Sequence, residues 1–393
     1  MTPYASDNAA AGRGRAVNTI PPVSDVPPQS GPIAVYGATG YTGRLVAAEL
    51  RRRGADFVLA GRSAPKLEIL AEDLGGAATR AVALDDPAGL RELLEPCAAV
   101  IACAGPFRLH GEPVVAAAVD SATHYLDTTG EQPFMRTVFD RYGDRALQAG
   151  VAAITAAGFD YLPGDMLAAL TAAELSEIDE VVLAYCPRGF GPSRGTAMSA
   201  LGMISGGDLE WRDGELRPAS QGVARGTWEF PEPIGLQRMV RYPAGEHVTV
   251  PRHVETSEVR TLLTASSVMP HPRLAFAAPL TMPVVQTATR TPLRRGLEAI
   301  VRRLPEGPSE ENRRRSRFTI VCDASGPAGR RRGIVTGRDV YGLTARTTVE
   351  GALRCAAPGY GKSGALAPAQ AFDPREFLRA MSGAGLSYEV IPA

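Results

Sequence analysis

Residues 32–43 read PIAVYGATGYTG, and this stretch decides the fold of the chain. A short β-branched run ends in three glycines, and residues 44–50 (RLVAAEL) continue with helical spacing of apolar side chains. The glycines therefore lie on a strand-to-helix turn, where Gly37 permits the tight turn, Gly40 lets the backbone approach a pyrophosphate, and Gly43 allows close helix–strand packing. Because the helix N-terminus adds unpaired N–H groups and a positive dipole, the stretch predicts a dinucleotide site.

The end of the second predicted strand distinguishes between nicotinamide cofactors. Residues 57–60 form this strand, and Arg62 and Ser63 follow it about 20 residues past the glycines. An acidic side chain here would bind a ribose 2′-OH and repel a 2′-phosphate, whereas arginine grips a phosphate with a bidentate fork. The alternative is an ordinary solvated arginine. We expect NADP(H) rather than NAD(H), and FAD is disfavoured on the same ground.

Strands and helices alternate as far as residue 155. The predicted strands after the first are 57–60, 79–84, 98–102, 124–127 and 151–155, and the predicted helices after the first are 66–74, 88–94, 113–119 and 134–148. Repeated βα units predict an α/β Rossmann domain with a doubly wound parallel sheet. Ligands of such sheets lie outside the carboxyl ends of the strands, so loops 103–107 and 127–131 are expected beside the nicotinamide.

The second half of the chain has a different pattern. Its predicted strands are 181–186, 223–229, 239–242, 247–250, 258–263, 318–323, 333–338 and 345–352. Runs of strands after a parallel unit indicate a second α+β domain, which we expect to cover the substrate because a hydride site must exclude water.

These patterns divide the chain into parts. Residues 1–31 are rich in Pro, Gly and Ser and predict a flexible arm without a secretory signal. Residues 32–157 are the predicted NADP-binding domain, and residues 158–363 are the α+β substrate domain. The C-terminal segment 364–393 carries a predicted helix, 374–383, that returns to the first domain.

Composition excludes several classes of function. A chain of 393 residues with 42 Lys+Arg and 42 Asp+Glu is long enough for two domains and has no basic excess for nucleic acid. No apolar run approaches the roughly 18–20 residues of a membrane helix. The five cysteines include no C-x-x-C pair, so we expect no metal site and a cytoplasmic protein.

Several motifs together resemble a known family. The segments GATGYTG (37–43), AGR (60–62), AGPFRLHGEPVVAA (104–117), THYLDTTGE (123–131) and AGFDYLPGD (157–165) are similar to the saccharopine dehydrogenase-like oxidoreductases, and nearest to their trans-acting enoyl reductase subfamily. Residues 189–199 and 364–369 extend the resemblance weakly. Arg194 departs from it by replacing an expected glycine, which could narrow the mouth of the substrate site.

The resemblance implies an NADP-dependent oxidoreductase. Its leading form is an NADPH-dependent enoyl reductase that delivers hydride to an activated C=C, on a small-molecule or carrier-bound substrate of lipid, polyketide or secondary-metabolite biosynthesis. The alternative is an imine (C=N) reductase of the saccharopine dehydrogenase type. A further alternative is a non-catalytic NADP-binding scaffold. A homodimer is left open, and no membrane association is expected.

The catalytic candidates are Tyr125, Asp127 and Asp160. Tyr125 and Asp127 share one side of the fifth strand, and Asp160 follows the sixth strand into the cleft between the domains. Tyr125 is a candidate proton donor, Asp127 a base, and either aspartate a partner for an iminium ion. The structural alternatives are a core tyrosine and a capping carboxylate. The Tyr-x-x-x-Lys pair of short-chain reductases is absent, because Arg62 and Pro358 stand four residues before the two lysines.

Residues of the glycine turn, the second strand end and the fourth strand end form the predicted cofactor site. They are Gly37, Thr39, Gly40, Tyr41, Thr42, Gly43, Arg62, Ser63, Cys103, Ala104, Gly105, Pro106 and Phe107. Glu131 either contacts the cofactor or caps a helix, and Asp165 is expected to be an N-cap. Cys103 also fits a small packed side chain rather than a nucleophile.

One segment has no role in this scheme. Residues 293–317 contain eight arginines. They fit an anionic partner, such as an acidic carrier protein or a CoA-type phosphate, an amphipathic helix on a membrane surface, or an ordinary solvated helix and loop.

Overall fold

A computed structural model describes residues 29–205, 208–219, 226–268, 291 and 293–392. Most of the predicted arm, residues 1–28, lies outside the described residues, as do parts of the predicted strand 223–229. The end of the arm contacts the folded chain, since the Ser30 N–H donates to the Ala356 carbonyl at 2.9 Å and the Asp56 N–H to the Gln29 side chain at 2.9 Å.

The first half forms a seven-stranded parallel sheet. Its strands are β1 (Ile33–Tyr36), β2 (Phe57–Gly61), β3 (Ala78–Ala81), β4 (Ala99–Ala102), β5 (His124–Asp127), β6 (Ala152–Ile154) and, from the C-terminal segment, β15 (Gly364–Leu366). The spatial order is β15-β6-β5-β4-β1-β2-β3, and Ile33 on β1 pairs with Phe57 on one side and Ala99 on the other. This order confirms the predicted doubly wound sheet.

Helices connect these strands. They are α1 (Tyr41–Arg53), α2 (Ala64–Asp73), α3 (Pro87–Leu94), α4 (Phe107–Asp120), α5 (Gln132–Thr137) and α6 (Gly143–Gln148), with a π-helical turn, Val138–Tyr142, between the last two. The fourth helix begins at Phe107, six residues before the predicted start at Pro113. The reason is a carboxylate, Glu131, that accepts hydrogen bonds from the first free N–H groups of the helix.

The second half builds a mixed sheet of seven strands and a short hairpin. After α7 (Leu162–Ala172), the sheet strands are β7 (Glu180–Arg188), β10 (Gly226–Phe230), β11 (Gly235–Arg241), β12 (Glu258–Thr264), β13 (Arg317–Gly326), β14 (Gly329–Arg338) and β16 (Ser387–Pro392), and the hairpin strands are β8 (Leu209–Arg212) and β9 (Glu215–Pro218). The order is β10-β11-β12-β7-β13-β14-β16, in which only the β12–β7 pair is parallel. The expected second α+β layer is therefore present.

Helices of the second half lie between and beside the sheets. They are α8 (Arg194–Ser205), α9 (Glu246–Thr249), α10 (Ala265–Val268), α11 (Leu293–Arg302), α12 (Glu310–Arg315), α13 (Val340–Ala356), α14 (Pro368–Ala371) and α15 (Pro374–Ala380). None of the helices in the described part of the chain is long and apolar enough to cross a membrane.

Two predicted strands are wrong. Residues 247–250 begin in α9, and residues 345–352 lie inside α13. The Asp339 side chain caps α13 by accepting the Gly342 N–H at 2.9 Å, and the helix packs against α1, β4 and β5 of the first sheet. Burial on several sides removes the amphipathic period, so β-branched residues such as Thr347 and Val349 resemble a strand in the sequence.

The C-terminal segment serves both sheets. While β15 extends the first sheet beside β6, β16 extends the second beside β14, and α15 packs on α7. The predicted domain bounds at 31, 157 and 363 stay a prediction. What positions the site is the arrangement of layers: α7 and α13 join the first sheet to the second in one continuous apolar core.

Candidate functional site

At two of its glycines, the glycine turn has no room for a side chain. Gly37 has φ +84°, and a Cβ on it would stand 2.9 Å from the Ala104 N. A Cβ on Gly43 would stand 2.3 Å from the Gly37 carbonyl oxygen. Helix α1 begins after Gly40 without any side-chain cap. The N–H groups of the first helical turn are therefore free to bind an anion. The turn fits the pyrophosphate of a dinucleotide.

Arg62 and Ser63 stand at the carboxyl end of β2, next to this turn. Arg62 is exposed and forms no ion pair with any described residue. Ser63 precedes α2 without capping it through its side chain. Both side chains are therefore available to a 2′-phosphate, which is the group that distinguishes NADP from NAD.

A segment of the second half covers the turn. The Tyr41 hydroxyl donates to the Pro308 carbonyl at 2.8 Å, and Arg44 pairs with Glu306 at 3.2 Å. The Arg44 Nε also donates to the Thr39 carbonyl at 2.9 Å. Of the predicted cofactor residues, Tyr41 thus donates its hydroxyl hydrogen to the protein itself. Thr39, Gly40 and Thr42 are the remaining residues of the turn.

The loop from Cys103 to Phe107 joins β4 to α4 at the same edge of the sheet. The Cys103 N–H donates to the Tyr36 carbonyl at 2.8 Å, and this bond ties the loop to the end of β1. Burial raises the pKa of the Cys103 thiol to about 12, which keeps it protonated and unreactive. The loop thereby places Ala104 against Gly37 of the turn, and the cofactor contacts of Ala104, Gly105 and Pro106 stay a prediction.

Glu131 links this loop to the next one. Its carboxylate accepts the N–H groups of Phe107 at 2.8 Å and Arg108 at 3.1 Å, and the Ser199 hydroxyl at 2.8 Å. Of the two roles weighed for Glu131, these contacts are those of a helix cap. Since Ser199 lies on α8, Glu131 also fixes the second half against the cofactor loops.

Asp127 is completely buried where β5 ends. Its Oδ1 accepts the N–H groups of Thr129 and Ala156 and the Thr155 hydroxyl, at 2.9, 2.8 and 3.2 Å. Burial raises the pKa of Asp127 to about 6, against the lowering effect of these bonds. Tyr125 is also fully buried, and neither its hydroxyl nor the Asp127 Oδ2 has a hydrogen-bond partner among the described residues. Burial, and then the nearby Asp127 carboxylate, raise the pKa of Tyr125 well above its usual value. The catalytic roles of both stay predictions, and their burial favours structural roles.

Asp160 has a different environment. It follows β6 and keeps part of its surface accessible, yet burial raises the pKa of its carboxyl to about 6. No described residue forms a hydrogen bond or ion pair with this carboxylate. A Cβ on Gly130 would stand 3.2 Å from the Asp160 Oδ2, and the adjacent Tyr161 donates its hydroxyl to the Gly130 carbonyl at 2.7 Å. Asp160 is thus an unpaired, desolvated carboxyl held beside the Thr128–Glu131 loop.

A buried polar network lies behind Asp160. The Tyr185 hydroxyl donates to Glu246, whose other oxygen has no partner in the described part of the chain, and burial raises the pKa of Glu246 well above its usual value. Asp165 contacts His253 at 2.8 Å and accepts the Ala369 N–H at 2.8 Å. The expected N-cap role of Asp165 is wrong, because α7 begins earlier, at Leu162.

The wall facing the turn includes residues that the sequence did not single out as catalytic or cofactor-binding. The Ser193 N–H donates to the Tyr341 hydroxyl at 2.6 Å, and that hydroxyl lies 3.1 Å from the Thr196 Oγ1. The Tyr341 ring meets Tyr41 edge to face at 5.1 Å. Ser193 and Thr196 lie in the weakly matching segment 189–199, which was the available signal. Arg194 donates to the Leu304 carbonyl, so it anchors the covering segment.

Residues 33–154 match the family model described as the saccharopine dehydrogenase NADP binding domain. This confirms the resemblance and the cofactor, NADP(H), that the motifs predicted. No group of residues that could hold a metal ion is found in the described part of the chain.

Relatives of this domain include oxidoreductases of bacteria and animals. A Mycobacterium tuberculosis protein named as a trans-acting enoyl reductase is 39% identical over 145 residues, which cover 35% of this chain and 35% of that protein. The rat saccharopine dehydrogenase-like oxidoreductase is 33% identical over 152 residues, which cover 34% of this chain and 35% of that protein. The matched part thus spans about a third of the length of these relatives.

The fold of the described chain, beyond its first sheet, also has a counterpart among solved structures. The saccharopine dehydrogenase (L-Glu forming) of Saccharomyces cerevisiae superposes with a TM-score of 0.57 and 14% identity, covering 92% of this chain and 100% of that one. The saccharopine dehydrogenase fold therefore extends beyond the NADP-binding domain to the second sheet.

Proposed function

We propose that this protein is an NADPH-dependent reductase that delivers hydride to an activated double bond, with Asp160 as its proton donor. One observation carries the proposal: Asp160 is a partly accessible carboxyl group without a partner among the described residues, and burial raises its pKa to about 6. Such a group exchanges protons near neutral pH, as a general acid must. It lies beside the loop that follows β5, at the sheet edge where the nicotinamide of a Rossmann domain lies.

The chain's own residues would divide the work as follows. The first-turn N–H groups of α1 would hold the pyrophosphate, and Arg62 with Ser63 the 2′-phosphate. The Ala104–Phe107 loop and Glu131 would orient the nicotinamide end. When bound, NADPH supplies the hydride. Asp160 would give the accompanying proton, and α8 with the Pro308 segment would exclude water.

An enoyl-type C=C is the leading substrate class. The relative named as a trans-acting enoyl reductase supports this class, and so do the motifs that resemble its subfamily. A C=C conjugated to a carbonyl needs a proton at one carbon after hydride reaches the other, so it needs a protonated acid at Asp160. The substrate would be a small molecule or an acyl chain on a carrier.

An imine is the second candidate, and the same carboxyl favours it. In its ionised form Asp160 would pair with the positive charge of an iminium ion. The two candidates therefore require opposite protonation states of one residue. A non-catalytic NADP-binding scaffold is the third, and it requires no turnover at all.

A direct test separates these three candidate functions. The pure protein is mixed with NADPH and with either an enoyl thioester or a cyclic imine, and oxidation of NADPH is followed at several pH values. Turnover of the thioester that is lost in Asp160→Asn supports the proposal. Turnover of the imine alone favours the second candidate, and NADPH binding without oxidation by any acceptor favours the scaffold.

A further inference from the structure

A second cavity lies away from the dinucleotide turn, where α12 and the start of α13 meet the end of β14. Its volume is about 300 Å³. Three arginines line it, together with Asp339 and small or apolar residues: Arg314, Arg338, Arg346, Gly342, Leu343, Gly383 and Ala384. Nothing in the cofactor site uses this cavity.

The described residues neutralise only part of the positive charge of the cavity. Asp339, the one acidic residue that lines it, already pairs with Arg313 at 3.2 Å and caps α13 through the Gly342 N–H. Arg314 pairs with Glu310 at 2.6 Å, but both side chains are more than half exposed, so water weakens this pair. Arg338 and Arg346 form no ion pair or hydrogen bond through their side chains with any described residue.

Of the three arginines, Arg346 is the one that is partly buried, so it loses part of its hydration without gaining an ion pair among the described residues. Arginine side chains in this arrangement match the oxygen atoms of a phosphate group, which they bind through charge-assisted and often bidentate hydrogen bonds. The volume suits one or two phosphate groups rather than a protein segment.

We propose that this cavity binds the phosphate monoester or pyrophosphate group of a small ligand. The site is separate from the dinucleotide turn, because Arg62 and the first turn of α1 take no part in it. The cavity is nevertheless connected to the turn by residues at the start of α13. Asp339, which lines the cavity, pairs with Arg313, and Tyr341, two residues after Asp339, meets Tyr41 of the turn edge to face. A phosphate held here could anchor the arm of a CoA-type thioester whose acyl end reaches the reductase site, a role that rests on the proposed function.

The test uses the full-length protein saturated with NADPH, so that the dinucleotide site is filled. Isothermal titration with pyrophosphate and with adenosine 3′,5′-bisphosphate is compared for the wild type, Arg338→Gln/Arg346→Gln, and Arg238→Gln. Arg238 is the matched control, because it is exposed on β11, which is four strands away from β14 in the second sheet. We expect both probes to bind the wild type and the control, and the double variant to bind at least about tenfold more weakly.

Several results would overturn the assignment. Equal binding by the double variant would place the phosphate elsewhere, and binding seen only without NADPH would place it in the dinucleotide site. A second experiment measures binding of the protein to vesicles that contain phosphatidic acid. If the vesicles bind the wild type but not the Arg338→Gln/Arg346→Gln variant, and neither soluble probe binds, the small-ligand assignment is wrong.

The proposed function has its own readout. NADPH binding is measured separately for Arg62→Asp, which leaves this cavity intact. If the wild type fails to bind NADPH but binds adenosine 3′,5′-bisphosphate through Arg338 and Arg346, the reductase proposal fails while the phosphate site stands. If NADPH binds and neither phosphate probe does, the phosphate site fails alone.

Discussion

The carboxylate of Glu131 accepts the backbone N–H of Phe107 at 2.8 Å. This bond joins the loop after β5 to the first residue of the helix that follows β4. Two loops that the sequence places at the same edge of the sheet thus hold each other in position. Glu131 has only 3% of its surface exposed, so its carboxylate has little access to water as an alternative partner.

Replacement of Glu131 by alanine should destabilise the protein and loosen the cofactor site. The change leaves the N–H groups of Phe107 and Arg108 without an acceptor, which costs about 1–3 kcal/mol. We expect a lower urea midpoint and weaker NADPH binding. Glu68→Ala is the control, because Glu68 is exposed on α2 and should change the midpoint little. A Glu131→Ala protein as stable as the control would contradict the capping role.

Arg62 should set the preference for NADPH. In Arg62→Asp, the carboxylate would repel a 2′-phosphate and could bind a ribose 2′-OH instead. We expect NADPH binding to weaken by at least about tenfold and the preference to shift towards NADH, measured by fluorescence titration. Arg91→Asp makes the same charge change on α3 and should bind NADPH as the wild type does. An unchanged preference in Arg62→Asp would mean that Arg62 is a solvated side chain.

The pH dependence of turnover should identify which protonation state of Asp160 is active in catalysis. If Asp160 is a proton donor to a C=C, kcat/KM should fall as pH rises through about 6, the pKa of the carboxyl. If it is a carboxylate that pairs with an iminium ion, kcat/KM should instead fall as pH decreases through about 6. Asp160→Asn should remove this titration from the profile. A profile with the same titration in the variant would assign it to another group.

The ionised form of Asp160 should lower the free energy of unfolding. Because the pKa of Asp160 is raised from 3.8 to about 6 on folding, its ionised form is disfavoured in the native state, and the penalty is present above pH 6 and vanishes below about pH 4. Asp160→Asn should therefore be more stable than the wild type by about 1–3 kcal/mol at pH 8, with no gain at pH 4. Urea denaturation at both pH values measures this difference, with the exposed Asp73→Asn as the control.

Gly43 should tolerate no side chain. In Gly43→Ala the new Cβ would stand 2.3 Å from the Gly37 carbonyl, and the backbone of the turn would have to move. We expect a loss of stability of more than about 2 kcal/mol and loss of NADPH binding. The matched helical control is Gly296→Ala, because a Cβ there has no described atom within 4 Å. This substitution should stabilise the protein by up to about 1 kcal/mol, since alanine favours a helix more than glycine does. Similar melting temperatures for the two variants would show that the turn can rearrange.

Local patterns were sufficient for the first sheet. Each strand from β1 to β6 was predicted within a few residues, because a fully buried parallel strand reads as a continuous apolar run bounded by glycine, proline or polar residues. The glycine turn and Arg62 could also be located, since their chemistry depends on neighbours in the sequence and on one spacing.

Long-range contacts explain the errors. Residues 345–352 are rich in β-branched residues and small side chains, but Asp339 caps them as part of α13 and the first sheet covers the helix. Pro113 looks like the start of a helix, yet Glu131, distant in the sequence, starts it at Phe107. In both cases a partner far along the chain overrides local preference.

The sequence by itself determined the Rossmann domain, the position of its dinucleotide turn and the choice of NADP(H), because all three depend on short-range periodicity, glycine geometry and the charge at one strand end. Only the tertiary structure decided which acidic groups are available. Tyr125, Asp127 and Asp160 look alike as candidates in the sequence, but one oxygen of Asp127 accepts two backbone N–H groups and the Thr155 hydroxyl, while Asp160 is desolvated and unpaired among the described residues. Hydrogen bonding and desolvation depend on which elements pack around a carboxyl, and that packing brings together residues from both halves of the chain.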